Sequence, residues 1–212
     1  MFYLHHTPWW LRMLFPKGLQ WQGPVLQGNE VYLTFDDGPH PEATPFVLDQ
    51  LQAAGMQGTF FCIGKNVLLH PDIYQRILAE GHAVGNHTMH HLNGRKATTS
   101  DYVADVDAAA GVIDSQLFRP PYGQLTKDEA TQIRSRYPDM SVLMWSVLTG
   151  DFDTKKNGQH CFAAVKKHTR PGSIIVFHDS AKAMPRLHEA LSLTLAWLQE
   201  KGLHSKALPS VF

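Results

Sequence analysis

Four stretches of this chain, residues 31–35, 58–63, 141–147 and 173–177, are β-rich and apolar at almost every position. A strand that is apolar on both faces must be covered on both faces. That condition belongs to a parallel sheet wrapped by helices, not to an antiparallel sheet with one wet side. Shorter runs at 82–85, 117–118 and 203–208 bring the expected strands to seven. Amphipathic stretches separate many of them: 41–54 stopped by Gly55, 71–80 stopped by Gly81, 126–136 opened by the Thr126/Glu129 capping pair, and 185–200 stopped by Gly202. Ser100 is the expected N-cap of a further helix running through Ile113. At 212 residues and 43% hydrophobic, the chain can bury one full core, and a single domain is the expectation.

The alternation alone admits an open doubly wound sheet or a closed barrel. Reactive residues decide between them. Asp36 and Asp37 follow the first expected strand, His87 the third, Arg119 the fourth, Asp151 the fifth and His178 the sixth. Groups gathered from the carboxyl ends of many strands are how a barrel assembles a site, whereas an open sheet concentrates them at one switch point. The expected fold is therefore α/β: a distorted, TIM-like (β/α)7 barrel, one strand short of the usual eight.

Two adjacent carboxylates at the tip of a buried strand repel each other unless a cation or a proton settles the conflict. Asp36 and Asp37 stand in that position within Thr34-Phe35-Asp36-Asp37-Gly38-Pro39. Some fifty residues later His87 and His91 are spaced by four, which on a helix puts two imidazoles on one face. Together these residues point to a divalent metal held by one carboxylate and two histidines, with the second carboxylate free for chemistry.

Four segments in register, Thr34-Phe35-Asp36-Asp37-Gly38-Pro39, His87-Thr88-Met89-His90-His91, Arg119-Pro120-Pro121-Tyr122-Gly123 and Ile175-Val176-Phe177-His178, resemble the motifs of polysaccharide deacetylases, the family-four carbohydrate esterases or NodB-homology domain. The resemblance runs from about residue 30 to about 208. It implies a distorted (β/α) barrel and metal-dependent removal of acetyl groups from N-acetylated sugars in chitin oligosaccharides, peptidoglycan or surface glycans. It assigns Asp37, His87 and His91 as metal ligands and Asp36 as the base. Arg119 pairs with that base, Tyr122 gives an oxyanion-binding N–H, and His178 is the proton donor, oriented by Asp151. Prolines 120 and 121 have no N–H, so Tyr122 carries the first one after Arg119. Three protein ligands with open positions describe a catalytic centre. Zn2+ is the expected ion, with Co2+, Ni2+ or Fe2+ compatible with the same donors. Ile175 stands where the family has a leucine lining the acetyl pocket, and His90 is not used by the motif.

The fifth-strand motif departs from the family. Phe152 replaces a tryptophan and loses an indole N–H, Leu148 replaces an aspartate, and Asp153 is a second candidate partner for His178. The same metal site acting on a non-sugar amide or an O-acetyl ester, or a glycan-binding protein without turnover, are the alternative readings.

Nineteen basic residues balance nineteen acidic ones, so no field exists to hold a phosphate backbone, and nucleic acid is not an expected partner. Cys62 and Cys161 match no zinc or redox spacing. Residues 1–28 form an aromatic N-terminal segment expected to pack Trp9, Trp10 and Leu14 on the catalytic domain, residues 29–212. An interfacial membrane anchor is the less favoured reading of that segment. No cleavable signal peptide or membrane-spanning helix is recognised, so a cytoplasmic location is the default expectation. The oligomeric state is left open.

Overall fold

The computed structural model, which describes residues 4–210 and 212, contains eight strands and eight α-helices among those residues. The strands are β1 (Glu30–Asp36), β2 (Gly58–Cys62), β3 (Ala83–Asn86), β4 (Leu117–Phe118), β5 (Ser141–Val142), β6 (Val147–Leu148), β7 (Ile174–His178) and β8 (His204–Ser205). The helices are α1 (Trp9–Arg12), α2 (Ala43–Ala54), α3 (Gly64–Leu69), α4 (Pro71–Ala79), α5 (Thr99–Ala110), α6 (Lys127–Arg136), α7 (Gly158–His168) and α8 (Met184–Glu200). The strands pair in parallel in the order β5-β4-β3-β2-β1-β7-β6, and β8 pairs with the start of β1.

The expected single strand over 141–147 is split. Its first half pairs with β4 and its second with β7, and the two halves stand at opposite ends of the pairing order. The connecting backbone keeps both edges bonded: Leu143 N–H donates to the Phe118 carbonyl and Ser146 N–H to that of Ile174. The sheet thus returns on itself through residues 143–146 as a distorted barrel.

Strand alternation sorts the side chains. Leu33, Phe35, Phe60, Ile175 and Phe177 pack outward with Leu48, Leu51, Leu187 and Leu191 of the helices. Tyr32, Phe61, Leu117, Leu143 and Ile174 form a separate cluster without a single helix residue, which is the barrel interior. Ile175 therefore belongs to the outer layer and does not line a pocket. Position 176, on the parity of Ile174 and His178, is the inward one.

Several boundaries differ from expectation. Thr98, not Ser100, caps α5, its side chain accepting from Asp101 N–H, and the helix ends at Ala110 rather than Ile113. The Thr126/Glu129 box opens α6 as read. The expected closing strand over 203–208 shrinks to β8, and helix α7 went unread because Asn157 caps it behind a Lys-Lys-Asn-Gly stretch that resembles a loop.

No helix separates β5 from β6, and the N-terminal segment covers that bare flank. It bridges to Val147 through His6, to Leu143 through Gln20 and to Ser173 through Gln22. Leu19 is buried, and Phe15 and Trp21 meet edge-to-face against the α5–α6 layer. Trp9, Trp10 and Leu14, expected to pack on the domain, are instead exposed.

Candidate active site

Parallel strands bring the reactive residues together at one end of the barrel. Asp36 is the last residue of β1 and His178 the last of β7, and the two are register partners on adjacent strands. Asp37 follows in a left-handed conformation (φ 83°). His87 leaves the end of β3, and Arg119 leaves the end of β4.

His87 and His91 converge, with ring centroids 5.0 Å apart. A helix does not do this. Residues 87–91 form a loop, and positive φ at Thr88 (64°) and His91 (58°) turns the second imidazole back toward the first. Side chains hold the turn. Asn86 Oδ1 accepts from Thr88 N–H at 2.8 Å, Asp105 Oδ2 from His90 N–H at 2.9 Å, and Thr88 Oγ1 from Leu92 N–H at 3.2 Å. His90 points away from the ligand set and contacts Asp105 at 2.6 Å. Among the described residues, the non-glycine positive-φ positions are Asp37, Thr88, His91 and Tyr122, and all four lie here. Left-handed backbone costs a non-glycine residue of order 1–3 kcal/mol, and such strain collects where function requires it.

One donor atom each from Asp37, His87 and His91 lies within 4.8 Å of the others. Asp37 Oδ1 stands 3.1 Å from His91 Nε2 and 3.8 Å from His87 Nε2, and it is buried without a hydrogen-bond donor. His87 Nδ1 donates to the Arg119 carbonyl at 2.7 Å, which leaves Nε2 with its lone pair facing the carboxylate. Burial, reinforced by His91, lowers the His87 pKa to about 4, so the ring is neutral as a ligand must be. Burial opposes ionisation of Asp37, yet the His91 contact and the charge of His178 hold its carboxyl well below the usual range. An orphaned carboxylate oxygen facing two imidazole nitrogens fits a divalent cation.

Asp36 is nearly buried and accepts from Arg119 Nη1 at 2.7 Å. Arg119 has no exposed surface. Its Nη1 also meets Thr34 Oγ1 at 2.7 Å, Nη2 donates to the Met144 carbonyl at 3.1 Å, and Nε to that of Leu143 at 3.4 Å. The guanidinium carbon sits 4.0 Å from the centre of the Phe61 ring. A fixed cation inside the barrel holds the Asp36 carboxyl in place.

Asp151, buried completely, grips His178 twice: Oδ1 accepts from Nδ1 at 2.8 Å and Oδ2 from the backbone N–H at 2.7 Å. Burial alone would lower the imidazole pKa; Asp151 outweighs it and the pKa rises to about 10. Of the two candidate partners for His178, the contact belongs to Asp151. Phe152 meets the same imidazole edge-on with centroids 5.3 Å apart. Tyr122, left-handed at φ 59° and half exposed, places its hydroxyl 3.2 Å from His91 Nδ1.

Sequence reasoning passed over Asp179, which is fully buried and accepts from Gly38 N–H at 3.1 Å and from Thr44 Oγ1 at 2.5 Å. Burial and the charge on Asp37 raise its pKa to about 8. Thr34 and Arg186 were also missed; the latter donates from Nε to the Asp151 carbonyl at 2.5 Å. For Thr34 a signal existed, since it shares the inward parity of Asp36. Cys62 and Cys161 are free and buried, and burial pushes both thiols up.

The family model for polysaccharide deacetylase matches residues 25–137. The chain belongs to the polysaccharide deacetylase family of hydrolases. It is 32% identical over 195 residues to a peptidoglycan-N-acetylglucosamine deacetylase of Bacillus cereus, covering 86% of this chain and 68% of that protein. It is 33% identical over 208 residues to a chitooligosaccharide deacetylase of Bradyrhizobium, covering 89% and 93%. Among solved structures, the Bc1960 peptidoglycan N-acetylglucosamine deacetylase superposes with a TM-score of 0.81 at 30% identity, covering 92% of each chain.

Proposed function

We propose that this chain is a metal-dependent deacetylase that removes N-acetyl groups from N-acetylglucosamine units of a chitin oligosaccharide or of peptidoglycan. The observation that carries the proposal is the convergence of Asp37, His87 and His91 between two separately buffered groups, Asp36 on Arg119 and His178 on Asp151. A divalent cation, with Zn2+ favoured and Co2+, Ni2+ or Fe2+ compatible, would supply Lewis acidity at the acetyl carbonyl and lower the pKa of water. The remaining chemistry falls to the chain's own groups. Asp36 accepts the proton of the attacking water as the new C–O bond forms. The Tyr122 N–H is the backbone donor available to the developing oxyanion. His178, charged at neutral pH, gives its proton to the sugar nitrogen as the C–N bond breaks, releasing acetate and a free amine. An amine leaves poorly without that proton, so a strongly held imidazolium favours amides over O-acetyl esters.

The test is acetate release from chitooligosaccharides, peptidoglycan, acetylated xylan and simple cyclic amides after defined metal loading. N-acetylated glycans are expected to turn over. Asp36→Asn should retain metal and lose about 10²–10⁴ in rate, while His91→Ala should lose metal affinity. Acetate from xylan alone, tight glycan binding without hydrolysis, or a fully active Asp36→Asn enzyme would each overturn the assignment.

A further inference from the structure

The proposed chemistry leaves one conspicuous surface of the molecule unexplained. Between its tethers at His6 and Gln20, the N-terminal segment lifts Trp9, Trp10, Met13 and Leu14 off the barrel flank. Trp9 is 72% and Leu14 74% exposed, and no residue of α1 is buried. The ridge is held in shape from below. The Arg12 guanidinium lies over the Trp21 ring, 5.6 Å from its centroid, and Arg134 of α6 donates to the Lys17 carbonyl. Beside the ridge runs a groove whose lining includes Met13, Leu14, Lys17, Lys127, Thr131 and Arg134.

The charges along the ridge and in the groove lining have one sign. Residues 4–17 contain Arg12 and Lys17 and no carboxylate; the first acidic residue of the chain is Glu30, which is buried. The groove contributes Lys127 and Arg134 and no acid to its lining, although Asp128 follows Lys127 in the same turn. A second copy docked across a two-fold axis would set these cations against one another without a partner. Tryptophans beside long aliphatic side chains, rimmed by lysine and arginine, instead match the interface of a bilayer. There indole rings sit at headgroup depth and cations meet anionic lipid.

We propose that the ridge of Trp9, Trp10, Met13 and Leu14, with Lys17 and Lys127 at its side, docks this protein peripherally on the surface of an anionic phospholipid membrane. The mode is shallow insertion. No helix among the described residues is long and apolar enough to cross a membrane, and the ridge contains none of the proposed catalytic or ligand residues.

Flotation of the full chain with vesicles tests this. The protein should float with phosphatidylglycerol-containing vesicles and stay behind with pure phosphatidylcholine, and the association should weaken as salt rises. Trp9→Ser with Trp10→Ser should reduce partitioning at least tenfold. Lys17→Gln and Lys127→Gln should each reduce it roughly fivefold, the factor expected for one cation near an anionic surface. All these side chains are exposed, so the variants should retain the wild-type melting curve. Failure to float with anionic vesicles, or flotation unchanged in the tryptophan variant, overturns the proposal. A concentration-dependent dimer abolished by the same tryptophan changes would assign the ridge to a second copy and overturn it equally.

Discussion

Replacing Arg119 by methionine removes the cation on which the interior of the barrel is organised. The apolar stem can still lie on the Phe61 ring, so packing changes little beside the electrostatics. What is left is Asp36, 4% exposed, with its 2.7 Å partner gone. Removing one member of a buried ion pair costs about 3–5 kcal/mol because the surviving charge is uncompensated. Against a total stability of about 5–15 kcal/mol, that is a large loss. Asp36→Asn alone leaves the guanidinium without its counter-charge and should also destabilise. The double variant carries neither charge. Its unmet needs are neutral acceptors at Thr34, Leu143 and Met144, so its cost should fall short of the sum of the singles by about 2–3 kcal/mol. Urea unfolding of metal-free protein, followed by far-UV circular dichroism with matched m-values, measures the three differences. Single-variant costs that add to within about 0.5 kcal/mol would show that Asp36 and Arg119 do not interact energetically, and the reading of Arg119 as the charge partner of Asp36 would fail.

Asp151→Asn should move the alkaline limb of the activity profile to lower pH. The folded-state pKa of His178 is raised to about 10, so the stability it contributes is complete below its unfolded value of about 6.5 and is lost as pH climbs through 10. The amide cannot sustain that shift, and melting curves between pH 7 and 10 should converge on a lower plateau in the variant. Gly38→Ala should destabilise and lower turnover, because a Cβ there would lie 2.1 Å from Asp179 Oδ2. Trimming Asp179 to glycine in the same chain should recover part of the lost stability, and no recovery would contradict the clash. Asn86→Ala should weaken metal binding by about 10–100-fold in equilibrium dialysis, with turnover restored at saturating metal. Unchanged affinity would mean that the 87–91 loop holds itself.

The barrel was legible because its cause is local and repeated. Runs apolar on both faces announce buried parallel strands, and glycines 55, 81 and 202, each at positive φ, stop helices where a side chain would object. The split of residues 141–148 was not legible, since apolar composition cannot say which neighbour each half will bond. The fate of Trp9, Trp10 and Leu14 was misread for a related reason: an aromatic run signals a surface in need of cover and is silent on whether the cover is the same chain. Ile175 was misplaced by one residue. In a strand, one residue is the difference between the interior and the helix layer.

The histidine pair shows how a spacing can lead to the right residues by the wrong geometry. Four residues span one helical turn, and that was the reason to expect His87 and His91 to meet. They meet because the backbone reverses hand at Thr88 and again at His91. In the loop, the N–H groups at 88 and 90 are satisfied by Asn86 Oδ1 and Asp105 Oδ2, one at the end of β3 and the other on α5. Distributing the bonds in this way ties both imidazoles to the barrel and its helix layer, and it frees the His87 ring to donate to the Arg119 carbonyl. The carbonyl that fixes the His87 tautomer therefore belongs to the residue whose guanidinium holds Asp36, so the proposed ligand and the proposed base are set by a single position. A helical His-x-x-x-His pair would offer no such linkage, because its second-nitrogen partners would come from wherever the helix happened to pack. The strained loop is thus the means by which one barrel position, Arg119, orients both the proposed ion-binding and the proposed proton-accepting sides of the site.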